Sequence, residues 1–111
     1  MKFVNLTPDV IRLETEFGVI KIESSGYART SIIVEDLDPI DDPLMGYIMR
    51  KRIKHGPVEG LPGPENGTIY IVLRSTKQHI SNRSDCLVPE YELFPIRDED
   101  GNVIGCRALA D

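Results

Sequence analysis

The chain has little of what catalytic and metal-binding domains are usually built from. Its 111 residues include two cysteines, two histidines, three phenylalanines, four tyrosines and no tryptophan. Cys86 and Cys106 form no CxxC pair and have no Cys/His cluster around them, which excludes the common zinc sites. Positive charge is also short. The net charge of −5 argues against non-specific binding to nucleic acid or to an anionic membrane, since both need positive potential. No apolar run approaches the roughly 20 residues that span a bilayer. The Gly60-Leu61-Pro62-Gly63-Pro64 stretch is no phosphate loop. Prolines stand where free backbone N–H groups are needed, and no GK[ST] follows. No secretory pattern opens the chain, so the expectation is a cytoplasmic protein with two reduced thiols, although counting alone allows one disulfide.

What is present is strand and turn chemistry. The length suits one domain, residues 1–111, able to bury a core without metal or disulfide. Apolar residues make up 41% and charged residues 28%, well outside the disordered regime. The strongest signal is Thr68-Ile69-Tyr70-Ile71-Val72-Leu73. It is β-branched or aromatic at nearly every position and uncharged, and the Gly/Pro-rich stretch from Gly56 runs into it. A continuous apolar run of this length suits a central strand buried on both faces.

Other strands are expected at Lys2–Leu6, in a hairpin turning at Gly18, at Tyr27–Val34 and at Met45–Ile53. Two more flank Asp100-Gly101, a hairpin signal. Glu35 to Asp42, with five acidic residues and Pro39, and with Pro43 just after it, reads as an exposed loop, because like charges at that density resist pairing. Ser75–Ile80 suits one or two helical turns, with Ser75 as N-cap and Gln78 completing a weak capping box. The fold expected is mainly β: a small sandwich or partly open barrel of six to eight short strands with at most one short helix.

Candidate chemistry is sparse. His55 and His79 are of a type that serves as general base, but both lie in polar surroundings that suit solvated loops. Cys86 follows Asp85 in an expected loop, and an adjacent carboxylate opposes thiolate formation. Cys106, inside an apolar strand, suits a small core residue. Arg50, Arg52 and Lys54 would share one face of a strand. They would either grip phosphates or an acidic partner, or guard a sheet edge against aggregation. Arg29, Arg74, Arg83, Arg97 and Arg107, with Asp85, would form a polar pocket for an anionic ligand if the fold gathered them. Otherwise they are scattered surface ion pairs.

Several motifs recur together across nearly the whole chain. They are Asn5-Leu6-Thr7-Pro8, Ser25-Gly26 followed by Ala28-Arg29, Val58-Glu59-Gly60-Leu61-Pro62 and Gly67-Thr68-Ile69-Tyr70-Ile71-Val72. They continue with the Arg83-x-Asp85-x-x-x-Pro89 spacing and with Arg97-Asp98-Glu99 leading to Ile104-Gly105-Cys106-Arg107-Ala108-Leu109. In these the chain resembles a family of small uncharacterised proteins of bacteriophages, prophages and bacterial genomes. That family often has histidine after NLTP, where this chain has Asp9.

The resemblance implies a bacterial or phage-infected cell and an accessory protein that binds a host protein or sequesters a small molecule. The function expected is therefore non-enzymatic binding of a host protein, in the manner of a host-defence inhibitor. The alternatives are sequestration of an anionic, nucleotide-derived small molecule, a structural or assembly subunit that forms homo-oligomers, and a small hydrolase using His55 or His79 with Asp85 or Cys86. No cofactor and no metal are expected.

Overall fold

The computed structural model describes residues 1–111 as a mainly β protein. In chain order the elements are β1 (Lys2–Asn5), β2 (Ile11–Thr15), β3 (Gly18–Ile22), β4 (Arg29–Asp42) and β5 (Gly46–Glu59). There follow β6 (Thr68–Ile71), α1 (Arg74–Lys77), β7 (Cys86–Pro89), β8 (Pro95–Arg97), β9 (Val103–Cys106) and β10 (Leu109–Ala110). Two four-stranded sheets form a body, in the orders β1-β6-β7-β10 and β3-β2-β9-β8. The third sheet is the β4-β5 ribbon alone.

β6 is the central strand that its composition demands. It pairs in parallel with β1 on one side and β7 on the other. Successive side chains of a strand point to opposite faces, and here the faces meet different cores. Tyr70 and Val72 pack with Leu6, Ala28, Cys86 and Val88. Ile71, between them, packs with Ile11, Leu13 and Cys106. The second cluster joins the two sheets, since Ile71 belongs to the first and its three partners to the second.

The NLTP motif ties this core to its surroundings. Asn5 is fully buried, and its Nδ2 donates to the carbonyls of Asp9 and Ile22. Its Oδ1 accepts from the N–H and the hydroxyl of Thr7. A buried amide satisfied in this way fixes the turn after β1 instead of costing stability. Glycine is required at Gly105, where β9 runs beside β2: an added Cβ would lie 2.6 Å from the Arg12 carbonyl oxygen.

Four expectations need correction. There are ten strands, two of them 14 residues long, where six to eight short ones were expected. Glu35–Asp42 is not a loop but the outer part of β4. Its acidic residues pair with basic ones on β5: Asp36 with Lys51, and Glu35 with both Arg52 and Lys54. The strand at Met45–Ile53 likewise extends to Glu59, so Gly56–Glu59 belong to it and not to a turn. Finally, α1 is a single turn whose N-cap is Leu73, without a side-chain cap. Ser75 lies inside it.

The long ribbon sets the shape. Its strands are about 45 Å long at the usual rise, and the molecule measures 61 × 40 × 20 Å. The radius of gyration is 18.4 Å, against about 13 Å for a compact chain of this length. All 17 buried residues lie outside residues 29–59. The ribbon is thus an arm that the core does not cover. No helix is long and apolar enough to cross a membrane.

Candidate functional site

The six residues expected to form an anion pocket do not share one. Arg83 and Asp85 come together. Arg83 Nε and Nη2 donate to the two carboxylate oxygens of Asp85, at 2.8 and 3.0 Å. Nη2 also donates to the Pro62 carbonyl at 3.0 Å, and the guanidinium lies 5.8 Å from the Tyr70 ring centroid. The Arg83 hydrogen bond holds the Asp85 carboxyl below its ordinary pKa, and Asp85 pushes Arg83 further up. This pair links the Gly/Pro-rich loop to β6 and to the entry of β7.

The other four arginines are each engaged elsewhere. Arg29 donates to the Tyr27 carbonyl and sits over the Tyr27 ring. Arg74 ion-pairs with the buried Glu90. Arg97 donates to the Gly101 carbonyl inside the β8-β9 turn. Arg107 pairs with Glu14 at 2.9 Å. No cleft is lined by two of these arginines. One cleft, of about 280 Å³, is lined by Leu73, Arg74, Val88, Pro89, Glu90, Tyr91 and Glu92. Glu90 holds Arg74 there and also accepts from the Leu93 N–H at 3.2 Å.

The two histidines find each other. The rings of His55, on β5, and His79, just after α1, have centroids 4.3 Å apart and are tilted by 32°. His55 Nδ1 is 3.0 Å from the Thr30 hydroxyl. Neither ring reaches Asp85 or Cys86 by a hydrogen bond; Asp85 serves Arg83 instead. Cys86 opens β7 and is fully buried, where a loop was expected. Burial pushes its thiol up, and the Asp85 charge adds to this. Cys106 is buried and pushed up in the same way. Both thiols are free. A buried thiol held protonated is a poor nucleophile. The histidine stack therefore fastens the base of the arm to α1.

The surface that stands out is the arm. Side chains directly opposite each other in an antiparallel pair share a face, and faces alternate along each strand. Ile32 pairs with His55, Val34 with Ile53 and Asp36 with Lys51. These residues, continued along β5 by Met49 and Tyr47, form one face. Ile33, Glu35 and Leu37 oppose Lys54, Arg52 and Arg50 on the other. Arg50, Arg52 and Lys54 do share a face, as alternation requires, and Glu35 braces two of them.

The first face carries these apolar side chains together with the central Asp36–Lys51 pair, Asp41 opposite Tyr47 toward the tip, and His55 at its base. Ile32, Val34, Met49, Ile53 and Tyr47 are between 57% and 76% exposed. At the tip, the Asp42 carboxylate accepts from the N–H groups of Leu44 and Met45 and closes the turn. At the base, Gly60 has φ +80°, and an added Cβ there would lie 2.5 Å from the Tyr27 carbonyl oxygen. The VEGLP motif therefore supplies the hinge geometry where the arm joins the body. The separate apolar residues are visible in the sequence. Their union on one face depends on a register between strands, which no local pattern reveals. No family model matches this chain, and no curated protein and no solved structure matches it either.

Proposed function

We propose that the protein is a non-enzymatic binding protein whose recognition element is the β4-β5 arm. One observation carries this: a hairpin of two 14-residue strands presents five large apolar side chains on one face, each more than half in water. Isolated two-stranded ribbons are marginal in water. Contiguous apolar patches of several hundred Å² mark interaction surfaces. A partner that covers this face supplies the burial which the body does not.

The resemblance to small phage proteins fits the same reading, because accessory proteins of that kind act by binding. The assembly-subunit alternative is favoured by the same arm. Sequestration of a small anion gains less support, since each arginine is already engaged by its own carboxylate or carbonyl.

The test is site-specific photo-crosslinking in the cell that makes the protein. A photoreactive residue at Tyr47 is expected to yield defined covalent adducts with protein. One at Glu99, in the β8-β9 turn, is expected to yield none. Equal labelling from the two positions, or none from Tyr47, overturns the assignment of the arm.

A further inference from the structure

The partner of the arm follows from the order of residues on its apolar face. We infer that the face is covered by the same face of a second copy of this chain, with the two arms running in the same direction. This rests on the arm being the recognition element. Five apolar side chains at roughly 100 Å² each bring about 500 Å² per copy, or about 1,000 Å² for a pair, which reaches the size at which specific interfaces begin. Two ribbons stacked this way form a small sandwich with aligned strands, a standard packing of sheets.

Charge selects the direction. The only acid–base pair at the centre of the face is Asp36–Lys51. A two-fold axis lying along the arm places β4 over the partner's β5. Asp36 of each copy then meets Lys51 of the other. Val34 meets Ile53, and toward the tip Asp41, which stands opposite Tyr47 in its own arm, meets the tyrosine of the other copy. A two-fold axis across the arm through this pair would set Asp36 on Asp36 and Lys51 on Lys51, and opposed like charges disfavour that arrangement. The interface with the axis along the arm is isologous and closed, so it makes a dimer and not a filament. The opposite face of the arm, with Arg50, Arg52 and Lys54, stays outside this interface.

Sedimentation of the full chain tests this. The wild-type protein is expected to sediment at twice the chain mass. Ile53→Asp is expected to sediment as a folded monomer, with an unchanged circular dichroism spectrum. Asp36→Lys and Lys51→Glu, each alone, set like charges against each other across the interface, and each is expected to be monomeric. Their equimolar mixture is expected to recover the dimer, because each variant supplies what the other lacks. Neither variant holds the pair within its own arm, so recovery reports contact between copies.

Spin labels at Leu44→Cys read the direction, since Cys86 and Cys106 are buried and stay unlabelled. Same-direction arms bring the two tips together. Opposed arms hold them apart by about an arm length, ~45 Å, and that result overturns the proposed axis. A wild-type monomer at high concentration overturns self-pairing. If Tyr47 still crosslinks to another protein, only self-pairing has failed. If Tyr47 crosslinks to nothing, the arm assignment has failed with it.

Discussion

The body and the arm are made of similar residues and obey opposite rules. In the body, Ile11, Ile71 and Val72 are at most 1% exposed. In the arm, Ile32, Val34 and Ile53 are all more than half exposed. Both regions are β-sheet with alternating side chains. The difference lies in what covers them. The body joins two four-stranded sheets through one shared cluster, which buries Ile71 of one against Ile11, Leu13 and Cys106 of the other. The arm has two strands, no second layer and no buried residue. The same residue types therefore hold the fold in one place and offer a binding surface in the other.

The sharpest way to break this comparison is to truncate one isoleucine in each region. Ile71→Ala is expected to cost about 3 kcal/mol, through lost burial and the cavity left behind. Ile53→Ala, in protein dilute enough to be monomeric, is expected to stay within about 0.5 kcal/mol of wild type. Urea unfolding followed by circular dichroism measures both, and similar costs would show that the arm is packed like the body.

The joint between the regions comes next. Gly60→Ala is expected to cost about 2 kcal/mol, from a strained left-handed backbone and a clash with the Tyr27 carbonyl. It is also expected to raise hydrogen exchange at Thr30 and Val58, the residues paired at the arm base. Unchanged exchange there would separate Gly60 from the arm.

Within the body, Arg83→Ala leaves Asp85 without its partner and is expected to cost about 1.5 kcal/mol. The pH dependence carries a definite sign. The folded Asp85 pKa lies below its ordinary value because of Arg83. The stability it contributes is therefore present above the unfolded value of about 4, and is lost as pH falls through the lower folded value. The Arg83→Ala variant is expected to show a flatter fall in stability below that point. A parallel acid limb in both proteins would refute the role given to the pair.

The smallest effect is expected from His79→Ala, which removes the stack on His55. Global stability should stay within about 0.5 kcal/mol. Exchange should rise locally at Ile32 and His55, as amide exchange by NMR would detect. If exchange there is unchanged, the stack does not fasten the arm.

Some of this was legible beforehand. The central, doubly buried β6 follows from six uncharged, mostly β-forming residues in a row, whereas its parallel pairing does not. The hairpins at Gly18 and at Asp100-Gly101 follow from turn residues beside apolar alternation. Gly18 and Gly101 do take positive φ, at 116° and 83°. The outer part of β4 looks like a loop in sequence because its acidic density suggests repulsion. The cations that answer it arrive only after the turn: Lys51 lies 15 residues from Asp36. Among the candidate site residues, only Arg83 and Asp85 are close enough in sequence for their pairing to be visible there.

The sequence by itself determined that the chain is mainly β, that it turns at Gly18 and at Asp100-Gly101, and that β6 is the buried central strand, because those properties depend on neighbouring residues and their dihedral preferences. Only the tertiary structure decided which carboxylate or carbonyl holds each arginine, that His55 meets His79, and that Ile32, Val34, Met49, Ile53 and Tyr47 share one uncovered face. Those outcomes depend on strand register and on how far the second sheet extends. Both are set by contacts between residues far apart in the chain.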